Sequence, residues 1–164
     1  MKFFYISLIV VIFDQLSKFF IKQYWIENNL FYNQINILGD YVRFVFIENP
    51  GIAFGIDTSN YHLYITIFTV LAIIVLVYFL YQLIRTDSIE CLPWSFILGG
   101  AIGNCIDRIM VLIPESGYRG VIDFIDIGFN QYRWYTFNLA DASISIGLTI
   151  YLYQTYILKK DYLE

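Results

Sequence analysis

The sequence predicts an integral membrane protein, mainly α-helical, with four transmembrane helices and short strands in the longer loops. Three observations predict it. Of 164 residues, 59% are hydrophobic and only 15% charged, whereas a soluble domain of this length is nearer a quarter charged. Four apolar stretches each approach the roughly 20 residues that a hydrocarbon core requires. Between them lie short runs of β-branched and aromatic residues closed by turn signals. Residues 1–164 read as one membrane domain.

The first apolar stretch covers residues 3–21. Its opening, Lys2 and then an apolar run, is similar to a signal peptide. Asp14 and Lys18 interrupt the run and no small-residue cleavage site follows, so a retained helix is expected. Tyr41 to Ile47 has strand-forming residues, and Asn49-Pro50-Gly51 ends it as a turn. The second stretch, residues 63–84, is almost free of polar groups. The third, residues 92–113, opens after Pro93. Gly120 to Ile125 reads as a second strand, and Tyr132, Trp134 and Tyr135 suit a membrane interface. The fourth stretch covers residues 139–158.

Lys2, Arg85, Lys159 and Lys160 flank one side of these stretches, while the opposite loops carry Lys22, Arg43, Arg119 and Arg133. The totals tie. The first group lies in shorter segments, and that density places both termini in the cytoplasm with two longer loops outside.

The net charge of −4 includes no basic block, so nucleic acid is not an expected partner. His62, Cys91 and Cys105 are too few soft ligands for a zinc site, and no metal or cofactor is expected. The two cysteines read as inert core residues.

The informative residues are polar ones inside apolar stretches, where each ionisable group costs about 2.5–3.5 kcal/mol on insertion scales. Asp14 and Lys18 are spaced to share a helix face and partly neutralise each other. The third stretch carries Asn104, Asp107 and Arg108, preceded by Gly99 and Gly103 at the spacing that lets helices approach closely. Arg108 keeps its charge and therefore needs a carboxylate, a carbonyl or water nearby. Asn138 and Asp141 are spaced as a helix capping box, a role compatible with a functional carboxylate. Asp123 sits among Val121, Ile122, Phe124 and Ile125, so simple solvation accounts for it less well than for Asp126.

In the expected topology these groups form one site in the outer leaflet. Paired carboxylates there share a proton, one activating water while the other polarises a carbonyl. Cost and periodicity alone leave open a proton relay through Asp14, Asp107 and Asp141 in a transporter or channel subunit. Other membrane-protease arrangements are weaker. Ser17 points away from Lys18, His62 lies at a helix entrance, and G-x-S-x-G is absent.

Five motifs then occur in order. They are Asp14-Gln15-Leu16-Ser17-Lys18, Asn49 to Gly55, Gly99 to Arg108, Val121-Ile122-Asp123-Phe124-Ile125 and Phe137-Asn138-Leu139-Ala140-Asp141. This series resembles the lipoprotein signal peptidase (signal peptidase II) family over most of the chain. The resemblance implies a single membrane peptidase domain of four membrane helices with a small outer β-platform, in the bacterial inner membrane. It implies an aspartic endopeptidase that removes signal peptides from prolipoproteins, cutting just before a cysteine carrying diacylglycerol. It assigns Asp123 and Asp141 as catalytic, and Asn49, Asn104, Arg108 and Asn138 as residues that shape the site and hold substrate. Asp14, Lys18 and Asp107 are supporting. The implied partners are the lipidated prolipoprotein and membrane lipid, with no obligate protein partner. One departure is a connection between Arg108 and Asp123, around residues 112–119, that is longer than in similar sequences. It either bulges outward or alters substrate access.

Overall fold

The computed structural model describes residues 2–30, 33–50, 61–86 and 88–158. Four helices carry the architecture: α1 (Lys2–Glu27), α2 (His62–Arg85), α3 (Cys91–Val111) and α4 (Leu139–Tyr153), the last continued by a π-helical turn over Gln154–Leu158. Four strands, β1 (Ile35–Leu38), β2 (Val42–Asn49), β3 (Val121–Phe129) and β4 (Tyr132–Arg133), form one antiparallel sheet in that order. Residues 51–55 of the second motif, and Lys159 and Lys160, lie outside the described residues.

α3 is the central helix and packs against α1, α2 and α4. Its glycines make this possible. A Cβ on Gly100 would fall 2.3 Å from the Ala140 carbonyl oxygen, and one on Gly103 would fall 2.6 Å from Asp14 Oδ2. Hydroxyls add interhelical hydrogen bonds: Ser7 donates to the Ser95 carbonyl at 2.8 Å and Ser143 to the Phe96 carbonyl at 2.9 Å.

Burial runs opposite to that of a soluble bundle. Asp14, Lys18, Asp107 and Asn138 are fully covered, while Phe13, Phe20, Phe68, Ile74 and Val75 are exposed. Large apolar faces outside and charges inside are stable only where lipid replaces water as solvent. Among the described residues, two helices, over Phe3–Glu27 and His62–Arg85, are long and apolar enough to cross a membrane.

Two boundaries differ from expectation. α1 continues six residues beyond residue 21, so Lys22 is a helical residue rather than a loop residue. The chain there has helix-forming side chains, and Trp25 is wholly buried, so packing extends the helix past the end of the hydropathy signal. α3 begins at Cys91 rather than after Pro93. A proline in the first turn loses no hydrogen bond, because those backbone N–H groups have no helical acceptor.

Candidate active site

Sequence spacing builds each part of the site before tertiary contacts join them. Asn138 caps α4: its side-chain oxygen accepts the Asp141 N–H at 2.9 Å, and Asp141 Oδ2 accepts the Asn138 N–H at 3.2 Å. The expected capping box is therefore present, and it fixes the Asp141 rotamer. The residue before the cap ties this helix to the sheet. Phe137 and Ile125 exchange backbone hydrogen bonds at 2.8 and 3.1 Å. That bridge brings Asn138 beside β3, two residues from Asp123.

Asp123 is held by amides from two directions. Asn49, at the end of β2, donates to Oδ2 at 3.0 Å, and Asn138 donates to Oδ1 at 2.7 Å. Asn104 on α3 completes the link to Asp141, donating to its Oδ1 at 2.7 Å while accepting from Asn138 Nδ2 at 3.0 Å. Three asparagines thus join two carboxylates from separate elements. Asp123 is 4% exposed. Burial pushes its carboxyl up from 3.8 to about 7, and the charge of Asp141 pushes the same way. The Asn49 and Asn138 hydrogen bonds and the Lys18 charge offset part of this.

A second pair of carboxylates lies beneath the first. Lys18 Nζ meets Asp14 Oδ2 at 2.8 Å, Asp107 Oδ2 at 2.9 Å and Asn104 Oδ1 at 3.0 Å. An ammonium has three protons, and three acceptors satisfy all of them. The two carboxylates also take backbone donors, and the second Asp107 oxygen, Oδ1, accepts from Gln15 Nε2 at 3.0 Å. Ala140 N–H binds Asp14 Oδ1 at 2.9 Å, and Ile122 N–H binds Asp107 Oδ2 at 3.1 Å. Asp14 therefore steadies the start of α4, and Asp107 steadies β3 one residue before Asp123.

Arg108 stands apart. Its guanidinium donates to the Asn104 backbone carbonyl at 3.3 Å and meets no carboxylate at ion-pair distance among the described residues. It lines a small open pocket with Asn49, His62, Ile65, Gly120 and Val121, and among the described residues most of its planar fork meets no other acceptor.

Asp126 is not solvated as expected. It is covered and paired with Arg133 Nη2 at 2.9 Å, because the β3–β4 hairpin folds Arg133 back over it. Gln15 was missed by sequence reasoning. Its Nε2 reaches Asp14 at 3.2 Å, the Gly103 carbonyl at 3.1 Å and Asp107 at 3.0 Å. Its position beside Asp14 was the available signal. Ser17 donates to the Asp14 carbonyl at 2.8 Å, which removes it from any dyad with Lys18.

An inverted apolar exterior around a polar, carboxylate-bearing interior defines the class, a membrane protein with an enzyme-like core, and comparison with solved structures agrees. One bacterial membrane enzyme, solved by the in meso method at 2.3 Å, is 28% identical with a TM-score of 0.74, covering 98% of this chain and 88% of that one. A second, solved at 1.9 Å, is 28% identical with a TM-score of 0.72, covering 95% and 93%. The family model for signal peptidase (SPase) II matches residues 6–157, and the chain belongs to that family. Curated relatives include the lipoprotein signal peptidase of Blochmanniella pennsylvanica (strain BPEN), 31% identical over 92% of this chain and 86% of that protein. That of Cellvibrio japonicus (strain Ueda107) is 34% identical over 92% and 84%. The chain is thus a bacterial membrane peptidase of the signal peptidase II type.

Proposed function

We propose that this chain removes the signal peptide from diacylglyceryl-modified prolipoproteins, hydrolysing the bond just before the lipidated cysteine with Asp123 and Asp141 as an aspartic dyad. The observation that carries the reading is the asparagine network that links the buried Asp123 to the half-buried Asp141, two carboxylates of separate elements. With its carboxyl raised to about 7, Asp123 is partly protonated near neutrality, so the pair can carry one proton. Asp141 sits in the first turn of α4, where the helix dipole favours negative charge.

The chemistry follows from that asymmetry. Asp141 takes a proton from water as the water oxygen bonds to the scissile carbonyl carbon. Asp123 gives its proton to the carbonyl oxygen, forming a gem-diol. Asp141 then passes its proton to the leaving nitrogen, Asp123 recovers one from a diol hydroxyl, and the C–N bond breaks. Arg108 and Asn49, facing one pocket, hold substrate carbonyls. No cofactor enters any step.

In this reading residues 1–164 form one domain in the bacterial inner membrane. α3 has 21 residues, and α4 with its π turn continues to Leu158. At about 1.5 Å per residue each reaches roughly 30 Å, enough to span beside α1 and α2. The sheet and the dyad then lie at the outer leaflet and both termini inside. A Ser88→Cys variant should be labelled from the cytoplasmic side only; labelling from outside would invert the orientation.

The substrate's acyl chains, worth about 0.8 kcal/mol per buried methylene, would anchor the scissile bond at the depth of the dyad. Purified enzyme should therefore cleave lipidated precursor and leave the unlipidated one intact. Equal turnover of the two would refute the lipid requirement.

A further inference from the structure

Lys22 belongs to none of the five motifs, yet it joins three elements at the outer end of α1. Its Nζ donates to the Gly117 carbonyl at 2.7 Å, lies 3.5 Å from Glu48 Oε1 and stands 3.5 Å over the centre of the Tyr118 ring. Glu48 Oε1 also accepts the Arg119 N–H at 3.3 Å. Gly117 to Arg119 belong to the connection from α3 to β3. This connection makes a 3-10 turn over Pro114–Ser116 and reverses at Gly117, whose φ of +69° suits glycine. Ser116 pins it further, donating to the Met110 carbonyl at 2.6 Å.

The clasp lies one residue from the proposed chemistry. Glu48 pairs with Ile122 across the sheet and Asn49 with Val121. Gly120, where the connection enters β3, is pressed so close to Asn49 that a Cβ there would fall 2.3 Å from the Asn49 carbonyl oxygen. Asn49 in turn holds Asp123 Oδ2. A shift of the connection therefore moves Asn49 against Asp123 directly.

We propose that Lys22 is a positioning residue for this reaction, clasping the α3–β3 connection onto the end of β2 and so holding the Asn49 amide against Asp123. The proposal rests on the reading of Asp123 as catalytic. An exposed lysine–glutamate pair contributes almost nothing. Lys22 differs because it is largely covered, binds a backbone carbonyl and stacks on an aromatic ring. Small displacements of a positioning group are costly to a reaction that depends on alignment.

The test uses full-length enzyme in lipid nanodiscs. Asp123 faces Asn49 from β2, Asn138 and Asp141 from α4, and the charges of Lys18 on α1 and Arg108 on α3. Of these, the clasp touches Asn49 alone. Lys22→Met should lower kcat/KM by roughly three- to tenfold. It should also move the alkaline limb of the pH profile upward, as Asn49→Ala does, because Asn49 donates to the ionised form of Asp123. Lys22→Arg should recover most of the loss. Glu115→Gln, exposed on the same connection, should change neither property. Lys22→Met added to Asn49→Ala should shift the profile no further, since both act through one contact. An unshifted profile in Lys22→Met, or fully additive losses in the double variant, would overturn the proposal. Amide hydrogen exchange at Asn49 and Val121 gives a readout independent of turnover, and it should quicken in Lys22→Met. Unchanged exchange would refute the clasp. Full turnover by Asp123→Asn would instead refute the dyad while leaving the exchange result to stand or fall alone.

Discussion

Two carboxylate pairs lie in the same core and are treated differently. Asp14 and Asp107 share an ammonium, with Lys18 within 2.9 Å of both. Asp123 and Asp141 meet amide donors from Asn49, Asn104 and Asn138. Lys18 offsets charge in the first pair at contact distance, whereas neutral amides hold the second and the charges of Lys18 and Arg108 act on it only without direct contact. Protonation of one member would relieve the repulsion left in the second pair. The first arrangement suits a scaffold and the second suits chemistry. The contrast teaches that a buried carboxylate is classified by its donors more than by its depth.

The sharpest way to break this contrast is to replace one carboxylate of the amide-held pair. Asp123→Asn and Asp141→Asn should each insert and fold while losing about a thousandfold or more in cleavage rate, and the double variant should be little worse than either. Single-turnover cleavage of lipidated precursor, with thermal melts as a folding check, measures this. Near-normal cleavage by folded Asp123→Asn would dissolve the distinction between the pairs.

The scaffold pair should fail in stability instead. Lys18→Met leaves two buried carboxylates without their cation, a loss of about 3–5 kcal/mol for a broken buried pair. Adding Asp14→Asn and Asp107→Asn should restore part of the melting temperature, because the uncompensated charge is then gone. A Lys18→Met protein that melts like the wild type would show that the ammonium is dispensable.

Asparagine substitution should also have opposite effects on stability in the two pairs. The Asp123 carboxyl is raised from 3.8 to about 7 on folding. Between those values the unfolded chain releases the proton while the folded chain keeps it, so stability falls as pH rises through this window. Below about 4 both states are protonated and the penalty vanishes; above 7 it is complete and amounts to a few kcal/mol. Asp123→Asn removes the penalty, so its melting temperature relative to wild type should be highest at pH 8 and decline towards pH 4. Asp14→Asn should be destabilising at pH 8, since it strips Lys18 of a partner. Parallel melting curves for wild type and Asp123→Asn across pH would remove Asp123 from the group of strained carboxylates.

The smallest effect is expected at Arg108, which belongs to neither pair. Arg108→Lys should reduce kcat/KM by about tenfold, the worth of one lost charge-assisted contact, with little change in melting temperature. Wild-type kinetics would mean that charge alone, not the planar fork, is used.

Much of this core is legible in the sequence. Asp14 and Lys18 do share a helix face, Asn138 and Asp141 do form a capping box, and Gly99 and Gly103 do receive a neighbouring helix. The long connection before Asp123 leaves that residue in the sheet, anchored by Asn49. Less legible were the length of α1, the pairing of Asp126 with Arg133, and the bridging by Gln15. Hydropathy marks where lipid ends, not where packing ends, so by hydropathy alone Lys22 falls in a loop although it is helical. Asp126 depended on how a short hairpin folds back, which residue types alone do not specify.

The division between the two kinds of knowledge is physical. A helix repeats every 3.6 residues whatever surrounds it, so spacing within a helix decides which side chains share a face. The apolar excess likewise decides the solvent, because no core of this size could bury it. Which carboxylate receives an ammonium and which receives an amide is not local. Lys18 reaches Asn104 across 86 residues, Asn49 reaches Asp123 across 74, and Asp14 reaches the Ala140 N–H across 126. Those contacts depend on how closely the glycines let α1, α3 and α4 approach, and on the register of β2 against β3. Only packing settles these, and with them which pair is held by an ammonium and which by amides.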